Sequence, residues 1–241
     1  MAFPTPQIDV DLQVRTELKE VTVLFADIEN STRLIESMDP ERASAALDPI
    51  IGIMVETVRS FGGTVARIVG DGIMAIFGAP VSLEGHAVQA CFAGLEITEK
   101  VKKRSLIADD KINIRVGIDS GQVLVRTYGT DLSVSYDAVG LIVHMASKIE
   151  KLAATNTVAL SRRTEQQARG FISTVSVSHV ALNHANHEVL KLTGRALPGK
   201  SMARNCRTLC DLVNHTECFE QLRAAEATLF DGRGCSVMLE G

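Results

Sequence analysis

Short apolar runs alternate with amphipathic stretches along most of the chain. Runs rich in valine and isoleucine predict strands, and stretches with apolar positions at helical spacing predict helices. The predicted strands are 21–28, 64–69, 73–77, 112–119, 122–127, 157–160, 171–182 and 188–192. The predicted helices are a short one capped by Asn30 or Ser31, then 40–61, 84–103, 138–152 and a short one after Ser161. This order is the ferredoxin-like split βαβ pattern, which predicts an α+β domain with helices packed on one antiparallel sheet.

Two glycine-containing turns are predicted to close hairpins. Gly70-Asp71-Gly72 separates strands 64–69 and 73–77, and Ser120-Gly121 separates strands 112–119 and 122–127. Glycine adopts the positive φ angles that tight hairpin turns require. The first of these turns places Asp71 at the tip of a hairpin.

Composition limits the classes of function. At 241 residues, of which 46% are hydrophobic, the chain can form one substantial domain plus a tail. A net charge of -4 gives no electrostatic case for a nucleic-acid partner. The sequence contains neither an apolar run of the ~20 residues that span a membrane nor a signal peptide. We therefore expect a cytoplasmic protein without a membrane segment in this chain.

Two aspartates follow apolar, β-branched runs at predicted strand ends. Asp27 lies in VTVLFADIENSTRL (21–34), and Asp71 lies in GGTVARIVGDGIMAIFGAP (62–80). Two carboxylates at adjacent strand ends can bind two divalent ions for a phosphoryl displacement. Mg²⁺ suits such a site because it takes one or two carboxylates and fills its shell with water and substrate phosphates. The alternative role for both residues is turn or cap chemistry.

Four segments in this order resemble the class III nucleotidyl cyclases, the adenylate and guanylate cyclase catalytic domains. They are VTVLFADI, GDGIMAIFGAP, INIRVGIDSGQVLV (112–125) and GTDLSVSYDAVGLIVHMASKIEKLA (129–153). The resemblance runs from about Glu20 to Gly194 and is nearest the bacterial soluble-cyclase-like subgroup. It implies a decorated ferredoxin-like fold and head-to-tail homodimers, in which each site is built across the interface.

The resemblance also implies roles for individual residues. Asp27 and Asp71 match the metal-binding positions, and the carbonyl of Ile28 matches a third ligand, for two Mg²⁺ or Mn²⁺ ions per site. Arg67 and Asp137 match the two positions that contact the base. Arg67 stands where a lysine is frequent, and its alternative role is an ion pair with Asp137 that narrows the base pocket. Asp137 has the alternative role of a helix cap.

The phosphate-handling positions depart from the family pattern. His144 and Lys148 match an Asn-x-x-x-Arg pair that orients the ribose and stabilises transition-state charge. Their spacing puts both on one helical face. Lysine keeps the charge of arginine but loses its planar, two-pronged contact, and Lys148 could instead be a solvated helix residue. Ala181 stands where a phosphate-binding lysine is usual. These departures predict low activity.

The sequence therefore predicts an adenylate cyclase that converts ATP to cyclic AMP and pyrophosphate. The alternatives are a cyclase for GTP or a pyrimidine triphosphate, and a nucleotide-binding regulatory module that has lost turnover. Residues 1–19 are expected to form a loose leader and 20–194 the cyclase domain. Residues 195–241 are expected to be a linker and the truncated start of an ATPase-type module, or otherwise a terminal helix and strand.

Overall fold

The computed structural model describes residues 13–29, 31, 39–108, 112–130, 133–182 and 185–196. These residues form eight strands and four helices. In chain order they are β1 (Gln13–Ile28), α1 (Pro40–Ser60), β2 (Thr64–Val69), β3 (Gly72–Phe77), α2 (His86–Ala108), β4 (Ile114–Thr130), β5 (Ser133–Val139), α3 (Leu141–Leu152), β6 (Thr157–Ser161), α4 (Arg162–Gln167), β7 (Ile172–Leu182) and β8 (Ala185–Arg195).

All eight strands belong to one sheet in the order β2-β3-β1-β4-β6-β8-β7, with β5 also paired to β4. Because β1 lies along the whole of one edge of β4, β5 and β6 share the other edge. The β4–β6 pair is parallel, so the sheet is mixed, where the sequence predicted an antiparallel one. The predicted α+β fold class is confirmed. Within the described residues, no helix is long and apolar enough to cross a membrane.

The sheet is covered on both faces. Successive side chains of a strand point to opposite faces, so each central strand supplies two sets of core residues. Leu24, Ala26 and Ile28 of β1 pack with α1 and α2, whereas Val21 and Val23 pack with α3. The sequence predicted helices on one face, and α3 departs from this arrangement. Helix α3 covers the second face of the sheet because it has an apolar side of its own, formed by Ile142, Met145, Ala146 and Ile149.

One predicted hairpin is wrong. The chain does not turn at Ser120-Gly121 but continues as the single strand β4, in which Ser120 pairs with Thr22 of β1. The Ser120 hydroxyl is buried and lies 2.7 Å from the Thr22 hydroxyl and 2.9 Å from that of Thr164. Gly121 has a φ of 152°, an extended conformation open chiefly to glycine. A glycine of the kind that favours a turn therefore lies here within a continuous buried strand.

Two further differences concern strands. Strand β1 begins at Gln13, inside the segment predicted as a loose leader, because Gln13 to Glu20 pair with the far half of β4. Strand β5 was not predicted, and Asp137 lies in it rather than at a helix cap. The hairpin β2–β3, helix α1 and the strands β6 to β8 are confirmed. The short helix at Asn30, residues 1–12 and residues 197–241 of the predicted tail lie outside the described residues.

Helix α3 rests directly on β4 at one residue. A Cβ atom on Gly117 would lie 2.2 Å from the backbone nitrogen of Glu150 and 2.5 Å from the carbonyl oxygen of Ala146. These are backbone atoms of the helix, so only a shift of the helix could relieve the contact. Gly117 therefore fixes the height of α3 above the sheet.

We expect Gly117→Ala to destabilise the domain by at least ~2 kcal/mol, because added volume in a tight contact forces backbone movement. Gly52→Ala is the matched control. Gly52 lies within α1, where an added Cβ meets no atom within 4 Å, and a helical Gly→Ala change stabilises by roughly 0.5–1 kcal/mol. Urea denaturation followed by circular dichroism measures both. Equal midpoints for the two variants would show that α3 has room to move.

Candidate active site

The two predicted metal-binding aspartates lie side by side at one end of β1. Asp27 is the penultimate residue of β1, and Asp71 lies in the turn that joins β2 to β3. Strand β3 pairs with β1 so that Ala26 faces Ile73. A Cβ atom on Gly72 would lie 2.6 Å from the Ala26 carbonyl oxygen and 2.8 Å from Asp27 Oδ1. The absence of a side chain at Gly72 therefore lets the turn bring Asp71 against Asp27.

Electrostatics at this end of the sheet favour a cation. Burial raises the pKa of Asp27 above its ordinary value, and the neighbouring charge of Asp71 raises it further. Arg115, the Ile28 backbone N–H and Lys151 act in the opposite direction. Asp71 Oδ2 is buried and has no hydrogen-bond partner among the described residues. A buried carboxylate oxygen without a donor is costly unless a cation binds it, so the pair fits a divalent metal.

Sequence reasoning missed two charged residues beside this pair. Arg115 of β4 lies directly opposite Asp27 in the strand register, with its Nη2 atom 3.7 Å from Asp27 Oδ2. Its Nε atom lies 3.2 Å from Oε1 of Glu150 on α3. Glu150 is only 5% exposed, and burial raises its pKa to about 7, although Arg115 opposes this shift. Two features of the sequence could have identified these residues. One is an arginine inside the apolar run INIRVGI, and the other is a glutamate on the apolar face of α3.

The donor set suits an ion that shares its coordination with a substrate. Within the part of the chain that the structure describes, no group of three or more His, Cys, Asp or Glu side chains is arranged to hold a metal. Asp27 and Asp71 would thus be the side-chain ligands, and Mg²⁺ commonly takes one or two carboxylates with phosphate oxygens. Ile28 ends β1 and is buried at 2% exposure, and a role for its carbonyl remains a prediction.

Arg67 and Asp137, the predicted base-contacting residues, form an ion pair. The Arg67 Nη2 atom donates to Asp137 Oδ1. Strands β3, β1 and β4 lie between their strands in the pairing order, so the sheet must curve to bring β5 over β2. The Asp137 side chain is 17% exposed and that of Arg67 is 53% exposed. This ion pair is the alternative role of Arg67 predicted from the sequence, and the structure contains it.

His144 and Lys148 lie on the exposed face of α3. No hydrogen bond or ion pair joins either side chain to another residue of the described segments. Leu141 and Leu152 continue the same helical face and are 49% and 44% exposed. This face is therefore a stripe in which two apolar residues flank the two polar ones.

The last predicted position lies in the β7–β8 hairpin. Ala181 of β7 pairs with Asn186 of β8 near the hairpin tip. The phosphate-binding role of the family's lysine therefore has no counterpart in an alanine side chain. Two residues after Asn186 in β8, Glu188 forms an ion pair at 2.7 Å with Arg162, the first residue of α4.

Comparisons with known proteins agree with this geometry. A family model described as "Adenylate and Guanylate cyclase catalytic domain" matches residues 14–194. Adenylate cyclase 1 of Rhizobium meliloti is 30% identical over 136 residues, which are 55% of this chain and 20% of the relative. Cytidylate cyclase of Escherichia coli is 32% identical over 166 residues, 64% of this chain and 36% of the relative. The chain thus spans about a fifth to a third of these relatives.

A solved structure extends the likeness to three dimensions. The guanylate cyclase domain of RhGC from Catenaria anguillulae, in complex with GTP, superposes with a TM-score of 0.68 at 26% identity. The match covers 75% of this chain and 100% of that domain. Because the family match covers most of the described sheet and both aspartates, the chain belongs to the adenylate and guanylate cyclase catalytic domain family.

Proposed function

We propose that this domain is an adenylate cyclase that forms cyclic AMP and pyrophosphate from ATP. The observation that carries the proposal is the contact of Asp27 with the Asp71 turn, which leaves a buried carboxylate oxygen without a donor. In a domain of this family, such a pair serves as the cation-binding half of the site. Low activity is part of the proposal, because Lys148 and Ala181 supply weaker phosphate contacts than the family pattern.

The reaction joins the ribose 3′-oxygen to the α-phosphorus while the bond from that phosphorus to the pyrophosphate oxygen breaks. Two bound divalent cations would neutralise charge on the triphosphate and make the 3′-hydroxyl easier to deprotonate. Asp27, Asp71 and the Ile28 carbonyl would hold them. Arg115 adds a fixed positive charge beside Asp27.

The rest of the site would come from a second copy of the chain. His144 and Lys148 are exposed, and within the described residues neither forms a hydrogen bond or ion pair with Asp27 or Asp71. The stripe on α3 ends in two exposed leucines. Exposed apolar side chains that lie together are typical of a surface that a partner covers. A second apolar row crosses three strands, where Leu18 pairs with Leu124 and Leu124 with Val139, at 64%, 42% and 41% exposure. Both surfaces support a homodimer in which His144 and Lys148 of one protomer meet the carboxylates of the other.

The identity of the base has a second candidate. The ion pair of Arg67 with Asp137 uses one carboxylate oxygen and places a guanidinium across the predicted base pocket. A guanidinium there would favour a smaller base, and cytosine offers both an amino group for Asp137 and acceptors for Arg67. The similarity to the cytidylate cyclase of Escherichia coli supports the same candidate. CTP is therefore the runner-up substrate.

Removing either carboxylate should abolish product formation. We expect Asp27→Asn and Asp71→Asn to lower turnover by at least ~100-fold at every Mn²⁺ concentration, because each removes one ligand of the cations. Asp48→Asn is the control, since Asp48 is exposed on α1 and bonds only Ser44 within the described residues. Chromatographic product assays and circular dichroism give activity and folding. Wild-type turnover of either variant in saturating Mn²⁺ would contradict the two-metal assignment.

Two inactive chains should complement each other. An Asp27→Ala chain keeps His144 and Lys148, and a Lys148→Ala chain keeps both aspartates. A mixed dimer would contain one complete site, so we expect recovery of up to about half the wild-type activity per dimer. Separate tags allow purification of the mixed dimer. A folded, co-purified mixed dimer with no activity above either parent would show that the site is not shared.

A product assay with all four nucleoside triphosphates should identify the base. We expect ATP to give the highest kcat/KM, and Arg67→Lys to raise kcat/KM for ATP over CTP by about tenfold, because a lysine leaves more room and frees Asp137. Asp137→Asn tests the same pair from the other side. A higher kcat/KM for CTP in the wild type would favour the cytidylate activity. Nucleotide binding without any product, in Mg²⁺ or Mn²⁺, would instead indicate a regulatory module.

A further inference from the structure

We propose that Glu150 is a positioning residue that maintains the cation affinity of Asp27 and Asp71 by holding the Arg115 guanidinium away from Asp27. The inference rests on the proposed function, because it concerns the carboxylate pair assigned there. It gives a role to a buried carboxylate on α3 that neither contacts the base-reading pair nor lies on the exposed stripe.

Arg115 lies between two competing carboxylates. Its Nη2 atom is 3.7 Å from Asp27 Oδ2, and its Nε atom is 3.2 Å from Glu150 Oε1. The closer partner is Glu150, and its side chain is 6% exposed, against 34% for Asp27. Electrostatic attraction is stronger where water is excluded. The shorter distance therefore makes Glu150 the nearer partner of the guanidinium, and Asp27 is left available to bind a cation.

The contact between Arg115 and Glu150 could become a stronger interaction. Arg115 Nε and Glu150 Oε1 are both buried, and neither makes an aligned hydrogen bond within the described residues. A cation at Asp27 and Asp71 would repel the guanidinium toward Glu150, which would turn this contact into a full charge-assisted hydrogen bond. Cation binding and the Arg115–Glu150 pair would thus strengthen each other.

The backbone of Glu150 packs directly against β4. The helix rests on Gly117, where a Cβ would lie 2.2 Å from the Glu150 backbone nitrogen. Gly117 is two residues beyond Arg115 on the same face of β4, so the helix and the guanidinium meet above one stretch of strand. The carboxylate is therefore fixed relative to Arg115 by packing that involves no charge.

Loss of the Glu150 charge would weaken cation binding in two ways. The guanidinium would turn to Asp27 as its remaining carboxylate partner and compete with the metal. The site would also lose one negative charge, leaving Arg115 and Lys151 against Asp27 and Asp71. Residues that support metal ligands in this manner typically change metal affinity by about 10–100-fold when replaced.

The first test is Mn²⁺ binding to the full chain, with Mn²⁺ alone as the probe, followed by electron paramagnetic resonance. We expect Glu150→Gln to raise the dissociation constant of Mn²⁺ about tenfold. Glu99→Gln is the matched control, since Glu99 is an exposed carboxylate of α2 that pairs with Lys103, and it should leave the constant unchanged. Asp27→Ala should remove the binding. If Glu150→Gln does not fold, Glu150→Asp, which keeps the charge on a shorter side chain, should raise the constant measurably but less than tenfold, and an unchanged constant would overturn the inference.

The second test uses the mixed dimer with one working site. Glu150→Gln is placed either in the Lys148→Ala chain, which supplies Asp27 and Asp71 to that site, or in the Asp27→Ala chain, which supplies Lys148. Both dimers contain the same three substitutions and differ only in their arrangement. We expect the half-saturating Mn²⁺ concentration to rise about tenfold in the first arrangement only, with the limiting rate unchanged in both.

The outcomes separate this inference from the function on which it rests. If Asp27→Ala removes Mn²⁺ binding and Glu150→Gln leaves it unchanged, the inference is overturned and the metal site stands. Equal Mn²⁺ shifts in both mixed dimers would assign Glu150 a merely structural role. If neither the wild type nor Asp27→Ala binds Mn²⁺, the metal site of the proposed function is overturned, and the role of Glu150 with it.

Discussion

The register of β1 between β3 and β4 is the constraint on which the candidate site depends. Antiparallel pairing along the full length of β1 sets Asp27 opposite Arg115, and pairing on its other edge sets Ala26 opposite Ile73. A shift by one residue would move Asp27 to the face covered by α1 and α2 and would remove Leu24 and Ala26 from their contacts with these helices. The burial of alternate residues on both faces therefore fixes where the carboxylates lie. The site follows from the packing of the sheet.

The sequence was sufficient for the parts of the site that are local. Asp71 lies in a two-glycine turn between two apolar runs, and Asp27 follows one such run, so strand ends and turn chemistry placed both. The ion pair of Arg67 with Asp137 was foreseen as an alternative, because both positions match the base-contacting residues of the family. Its geometry was not predictable, because the contact depends on the curvature of the sheet over three intervening strands.

What the sequence could not show depends on partners distant along the chain. Ser120-Gly121 has the composition of a turn, and it stays extended because the hydroxyls of Thr22 and Thr164 bond Ser120. The leader-like residues from Gln13 onward become a strand because the far half of β4 offers them a paired edge. The same holds for Glu150. The helical pattern predicts that it lies on the buried face but does not identify Arg115 as its partner. In each case a long-range contact outweighs the local preference.

The two faces of helix α3 have different roles in the proposed arrangement. Its buried face brings Glu150 to Arg115, next to the carboxylates of its own chain, while its exposed face carries His144 and Lys148, which the proposed homodimer would place at the site of the partner. A single rigid helix seated on Gly117 thus has one side in each half of the proposed dimeric arrangement. In that arrangement, a change in charge at Asp27 would act on Arg115 and, through Glu150, on the helix that carries Lys148.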